Sequence, residues 1–120
     1  MSKNKIIFLV ATGLMTVMMT MSAGMYIIKH DDMMAIFTTL GYPTHIIYPL
    51  AIAKILGLVA IWTNKSATLR EWAYAGFFFD FILAAMAHLS INDGDHIGAV
   101  IALVLWAVSY FFGHKMRQEA

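Results

Sequence analysis

Arg70-Glu71-Trp72-Ala73-Tyr74-Ala75-Gly76-Phe77-Phe78-Phe79-Asp80-Phe81-Ile82-Leu83-Ala84-Ala85-Met86-Ala87-His88 decides how the rest of the chain is read. The run is apolar, and it is long enough to cross a bilayer, whose hydrocarbon core takes about 20 residues of helix. Asp80 sits in its middle. A carboxylate at that depth costs about 2.5–3.5 kcal/mol on insertion scales, so it demands a partner, a proton or water. Gly76, Asp80, Ala84 and His88 recur at four-residue steps and are expected on one small, polar face that looks into a bundle. Phe77, Phe78, Phe79 and Phe81 are expected to look largely at lipid or neighbouring helices.

Composition agrees that lipid is the solvent. Of 120 residues, 61% are hydrophobic and 12% charged, whereas soluble domains are nearer half apolar and a quarter charged. A chain this short has room for a single domain, residues 1–120. Net charge is +1, without a basic stripe, which excludes nucleic acid as the expected partner. The absence of cysteine excludes disulfide relays, thiolate nucleophiles and iron–sulfur clusters within this chain. Any redox role needs a bound cofactor or a partner subunit.

Three further spans flank the central one. Residues 6–28 are uncharged and long enough to cross. Lys3 and Lys5 before them, and Ser22-Ala23-Gly24 within them, also fit a signal peptide. The run exceeds the usual core of about 7–15 residues, so a retained span is expected. Residues 46–63 form the second span, with Ala53 and Gly57 as a small-residue pair for close helix approach. The opening stretch supplies the third, residues 71–90, and residues 97–112 the fourth, with Gly98 and Ala102 as a similar pair. Between the first two, residues 33–40 read as a short interfacial helix capped by Asp32 and ended by Gly41 and Pro43. The expected fold is an all-α membrane protein, an antiparallel four-transmembrane-helix bundle. Lys3, Lys5, Lys65, Arg70, Lys115 and Arg117 fall on one side and only Lys29 on the other. The positive-inside rule then puts both termini in the cytoplasm. Asp31, Asp32, Asp93 and Asp95 give the outer mouth an acidic rim.

Several stretches resemble the DoxX-like family of small bacterial membrane proteins. They are Phe37-Thr38-Thr39-Leu40-Gly41-Tyr42-Pro43, Lys54-Ile55-Leu56-Gly57, and Glu71-Trp72-Ala73-Tyr74-Ala75-Gly76 leading to Asp80. Ala84-Ala85, His88 and Gly94-Asp95 continue the pattern, which covers roughly Asp31 to His114. The resemblance implies a four-helix protein of the bacterial inner membrane. It also implies kinship with membrane subunits linked to quinone reduction in sulfur-compound oxidation and to oxidative-stress complexes. It marks Lys54, Glu71, Tyr74, Asp80 and His88 as motif positions without giving any a catalytic role. The missing cysteine argues against sulfur chemistry by this chain.

Lys54 is the only other ionisable group deep in an apolar run, and the second and third spans are neighbours in such a bundle. An ion pair or shared proton between Lys54 and Asp80 is the cheapest way to keep both at mid-depth. One reading is a structural pair that fixes helix register. The other is a polar pocket that binds a quinone-like or lipid-like molecule or carries a proton, with Tyr48, Thr16 and His88 as neighbours and Glu71 and Tyr74 on its cytoplasmic side. The corresponding functions are a membrane subunit or binding module, a quinone-linked oxidoreductase subunit, or an oligomeric proton-coupled carrier. Besides the bilayer, a homo-oligomer or larger membrane complex is the partner such roles need. His45, His88 and His96 lack metal-ligand spacing, so neither metal nor haem is expected. Trp62, Trp72, Tyr74, Trp106 and Tyr110 are expected to anchor the helices at the head groups.

Overall fold

The structure is a computed structural model that describes residues 2–92, 94 and 96–119. Five α-helices follow one another: α1 (Lys3–Ile28), α2 (His30–Leu40), α3 (Ile47–Thr63), α4 (Ala67–Ile91) and α5 (His96–Gln118), with a 3-10 turn at Thr44–Ile46. Four of them are long and apolar enough to cross a membrane. The bundle measures 46 × 26 × 21 Å, close to a bilayer's full thickness of about 40–45 Å.

Local chemistry sets the helix ends. Ser2 and Ser66 cap α1 and α4 by accepting bonds from the backbone N–H groups of Lys5 and Leu69. Gly41, Asn64 and Asn92 close α2, α3 and α4 in the left-handed conformation, which glycine and asparagine adopt most readily. Pro49 falls in the first turn of α3, where its missing N–H has no intrahelical acceptor to lose. Asp32 does not cap α2 as expected. The helix begins earlier, and Asp31 and Asp32 both lie in its first turn, where carboxylates complement the helix dipole.

The long helices close a ring in the order α1–α3–α4–α5, so α3 and α4 are neighbours, as are α1 and α5. Burial in lipid supplies no hydrophobic drive between spans, so close packing must. Gly57 lets α3 approach α4 until the Phe77 ring fills the place of a side chain, and Gly113 of α5 does the same for Phe8 of α1. Met15, Met19, Leu58, Ile61, Tyr74, Phe77, Phe81 and Ala102 form the central core. Val10, Leu14, Val17 and Met21 make an outward apolar stripe on α1. In water such a surface would be a liability; a lipid covering makes it ordinary.

The inward face of α4 differs from the one expected. Phe77 and Phe81 are buried in the core, while Gly76 has no neighbour to pack against. A step of four residues overshoots one helical turn by about 40°. From Gly76 to His88 the row therefore swings by about 120°, so Gly76 points away while Asp80, Ala84 and His88 reach the interior. The same drift leaves Thr12 fully buried and Thr20 exposed on α1.

Helix α2 leans on α1, α3 and α4 at one end of the bundle. Met33 and Phe37 are its buried face, packed with Ile47 and Tyr26. The Tyr42 hydroxyl ties its end to α4 by donating to the Leu83 carbonyl at 3.2 Å. Asp93 and Asp95 of the expected acidic rim lie outside the described residues.

Candidate functional site

Beneath α2 the four spans part around a cavity of about 660 Å³. Its walls are mainly apolar, with Met19, Leu50, Phe81, Ala84 and Ala102 among them. Ser22 and Tyr26 from α1, Lys54 from α3, and Asp80 and His88 from α4 supply polar groups. Lys54 and Asp80 carry the charge. The volume lies within the usual range for small-molecule pockets, and a mostly apolar wall with a few convergent polar groups is their usual make-up.

Lys54 is 6% exposed. Its Nζ donates to Ser22 Oγ at 2.7 Å and lies 4.0 Å from the centroid of the Tyr26 ring. The ammonium therefore reaches across to α1 and not along the α3–α4 seam. The one ion pair among the described residues is Arg70–Glu71, and Asp80 has neither an ion pair nor a hydrogen bond there. The direct Lys54–Asp80 bond anticipated from the sequence is absent. A four-carbon stem can satisfy its charge on any neighbour within reach, and a hydroxyl next to an aromatic face offers a charge-assisted hydrogen bond together with a cation–π contact. Both side chains line the same space, so the two stand as opposite poles of one cavity.

Tyr48 lies apart from this site. It is 47% exposed and stacks on His30 with ring centroids 4.3 Å apart. His45 is exposed in the 3-10 turn, and His96 begins α5. Among the described residues no three His, Asp or Glu groups come together around a common point.

Glu71, Tyr74 and Thr16 belong to the other half of the bundle. Ser109 Oγ joins Thr12 Oγ1 at 2.6 Å and the Tyr74 hydroxyl at 2.7 Å, deep inside. Trp106 Nε1 donates to the Tyr74 carbonyl at 2.7 Å, and Trp62 Nε1 donates to Thr16 Oγ1 at 2.8 Å. Tyr74 is 1% exposed and so is a core residue, not an anchor at the head groups. Its hydroxyl can be buried because Ser109, on the neighbouring helix α5, shares a hydrogen bond with it. Glu71 accepts from the Tyr110 hydroxyl at 2.8 Å and faces Arg70 at 3.7 Å. Nine residues of helix, about 13 Å, separate it from Asp80.

Sequence reasoning overlooked Ser22 and Tyr26. A signal existed: they stand four residues apart on α1, on the face that a buried lysine of the next span would need.

A ring of four apolar spans with a half-polar cavity under a short helix defines a small multi-pass membrane protein. Residues 10–111 match the family model described as DoxX-like family, and the chain belongs to that family. No curated protein and no solved structure matches the chain.

Proposed function

We propose that the protein is a membrane-embedded binding module that holds one amphiphilic molecule, quinone-like or lipid-like, in the cavity between α2 and the spans. One observation carries the reading: an apolar cavity of about 660 Å³ has a buried ammonium and a carboxylate in its wall, and the two are not bonded to each other. Opposite charges left apart at membrane depth are expensive. A head group with a carbonyl for Lys54 and a hydroxyl or N–H for Asp80 would satisfy both, while its tail replaces lipid along Met19, Leu50 and Phe81. His88 is placed to read the same head group. Helix α2 lines one side of the cavity, and Tyr42 ties its end to α4.

The setting of this function is part of the proposal. Both termini face the cytoplasm of a bacterial cell, in the inner membrane, because the lysines and arginines cluster at that end. The protein works for a partner subunit or as a homo-oligomer.

A thermal-shift titration in neutral detergent tests it. A short-tailed benzoquinone should raise the unfolding temperature saturably. Lys54→Met and Asp80→Asn should each weaken that effect at least tenfold, and Tyr48→Phe should not. Equal responses in wild type and both cavity variants contradict the assignment. Solute or proton flux through reconstituted liposomes would instead favour a carrier.

A further inference from the structure

The end of the bundle opposite the cavity holds a second charged cluster, built from Arg70, Glu71, Tyr110 and Arg117. Arg70 lies in the first turn of α4 and Arg117 in the last turn of α5. Arg70 spends Nη1 on the side-chain oxygen of Asn64 and turns Nη2 toward Glu71. Its Nε is buried and has no acceptor. Arg117 folds back over Gly113 beside Phe8, where a side chain at residue 113 would block it, and its Nη2 is likewise buried without an acceptor. One carboxylate, Glu71, stands beside Arg70 and already accepts from Tyr110, which shares a face of α5 with Gly113 and Arg117.

Buried donors are almost always paired, and two orphaned N–H groups on like-charged neighbours call for an acceptor. One carboxylate does not neutralise two guanidinium groups. Lys3, Lys5, Lys65 and Lys115 lie at the same end, and the remaining glutamate there, Glu119, is bonded to Asn4. Guanidinium groups offer forked donors that match phosphate oxygens two at a time. Basic recesses between spans at the head-group level take phosphate-bearing heads.

We infer that Arg70 and Arg117 form a phosphate-binding site at the rim of the bundle, separate from the cavity. Its ligand is a phosphate group, carried by a phospholipid head or free in solution. Tyr110 positions Glu71, which keeps Arg70 turned toward the site.

The test uses the whole chain purified in neutral detergent. Dioleoylphosphatidylglycerol and inorganic phosphate are titrated separately, with dioleoylglycerol as the phosphate-free control, and dissociation constants are read from unfolding temperature and native mass spectra. Phosphatidylglycerol should bind and dioleoylglycerol should not. Binding of phosphate alone would identify a free-anion site, and binding only of the lipid a head-group site; either supports the inference. Arg117→Gln and Arg70→Gln should each weaken binding at least tenfold. Arg117→Lys and Arg70→Lys, which keep the charge but lose the fork, should weaken it less and serve where a glutamine variant does not fold. Lys115→Gln removes the same charge from a side chain lying over Phe112 and should change binding less than threefold. Lys54→Met should leave it unaltered, which separates this site from the cavity. The inference fails if neither phosphate source binds, or if Lys115→Gln weakens binding as much as Arg117→Gln.

Discussion

Replacing Lys54 with methionine distinguishes a bonded pair from two poles of an empty site. Removing one partner of a buried ion pair costs about 3–5 kcal/mol, because the other charge is left without compensation. The structure leads to a different sum. Lys54→Met loses the bond to Ser22 Oγ at 2.7 Å, a charged hydrogen bond of about 1.5–3 kcal/mol. It also loses the contact with the Tyr26 ring at 4.0 Å, about 0.5–2 kcal/mol. Against this, a lysine at the centre of a span carries an insertion penalty of about 2.5–3.5 kcal/mol that methionine lacks. The midpoints nearly cancel, so the ligand-free protein should lose about 0.5 kcal/mol, within a range of about −1.5 to +2.5 kcal/mol. At about 4 °C per kcal/mol for a chain of this length, that is a shift of a few degrees, against about 12–20 °C for a broken ion pair. Thermal unfolding of delipidated protein in neutral detergent reads the difference. The Lys54→Met/Asp80→Leu double variant should depart from the sum of its parts by no more than about 1 kcal/mol, the low end for opposite charges that share a cavity without a bond. A loss of 3 kcal/mol or more, with strong coupling to Asp80, would refute the reasoning and restore the direct pair.

Other sites give separate tests. At Gly57 an added methyl would stand 2.6 Å from Phe77 Cζ, so Gly57→Ala should destabilise by about 1–2 kcal/mol through overpacking, whereas Gly13→Ala, with open space around it, should gain up to about 1 kcal/mol from helix propensity; equal effects by thermal unfolding would count against the α3–α4 contact. Ser109→Ala should cost about 1–2 kcal/mol, since Thr12 and Tyr74 lose their shared partner, and an unchanged unfolding temperature would place these hydroxyls elsewhere. Ser2 and Asn4, the latter donating to Glu119 Oε1 at 2.6 Å, hold the Glu119 carboxyl below the usual glutamate range. A depressed folded value means that the contact is fully present above the ordinary carboxylate pKa and is lost as pH falls through the lower, folded one. NMR titration of Glu119 should show that lowered midpoint, and Asn4→Ala should raise it.

Much of this was readable from residue order because membranes simplify the reading. Span length, charge-free runs and turn residues fix four crossings almost by arithmetic, and Gly57 announced the close α3–α4 contact. Lys54 and Asp80, which line one cavity with His88, stood out in the sequence because charge at mid-depth is costly wherever the neighbours are. What stayed hidden depends on angles and reach. A four-residue row drifts around its helix, so Gly76 leaves the bundle and Phe81 enters it. The reach of a lysine chooses among several partners, and Ser22 with Tyr26 outcompetes Asp80. Tyr74 resembled an interfacial anchor in composition, yet only its hydroxyl partner on α5 explains why it is buried. The first turn of α2 shifted because two aspartates complement a helix dipole as well as one of them caps it.

Native mass spectrometry of the 13.4 kDa chain in gentle detergent tests the cavity assignment most directly. The wild type should carry one adduct of a few hundred daltons per chain, a quinone or a single lipid, and Lys54→Met and Asp80→Asn should lose it under the same collision energy. Wild-type chains that arrive bare, or variants that keep the adduct as firmly as the wild type, would contradict it.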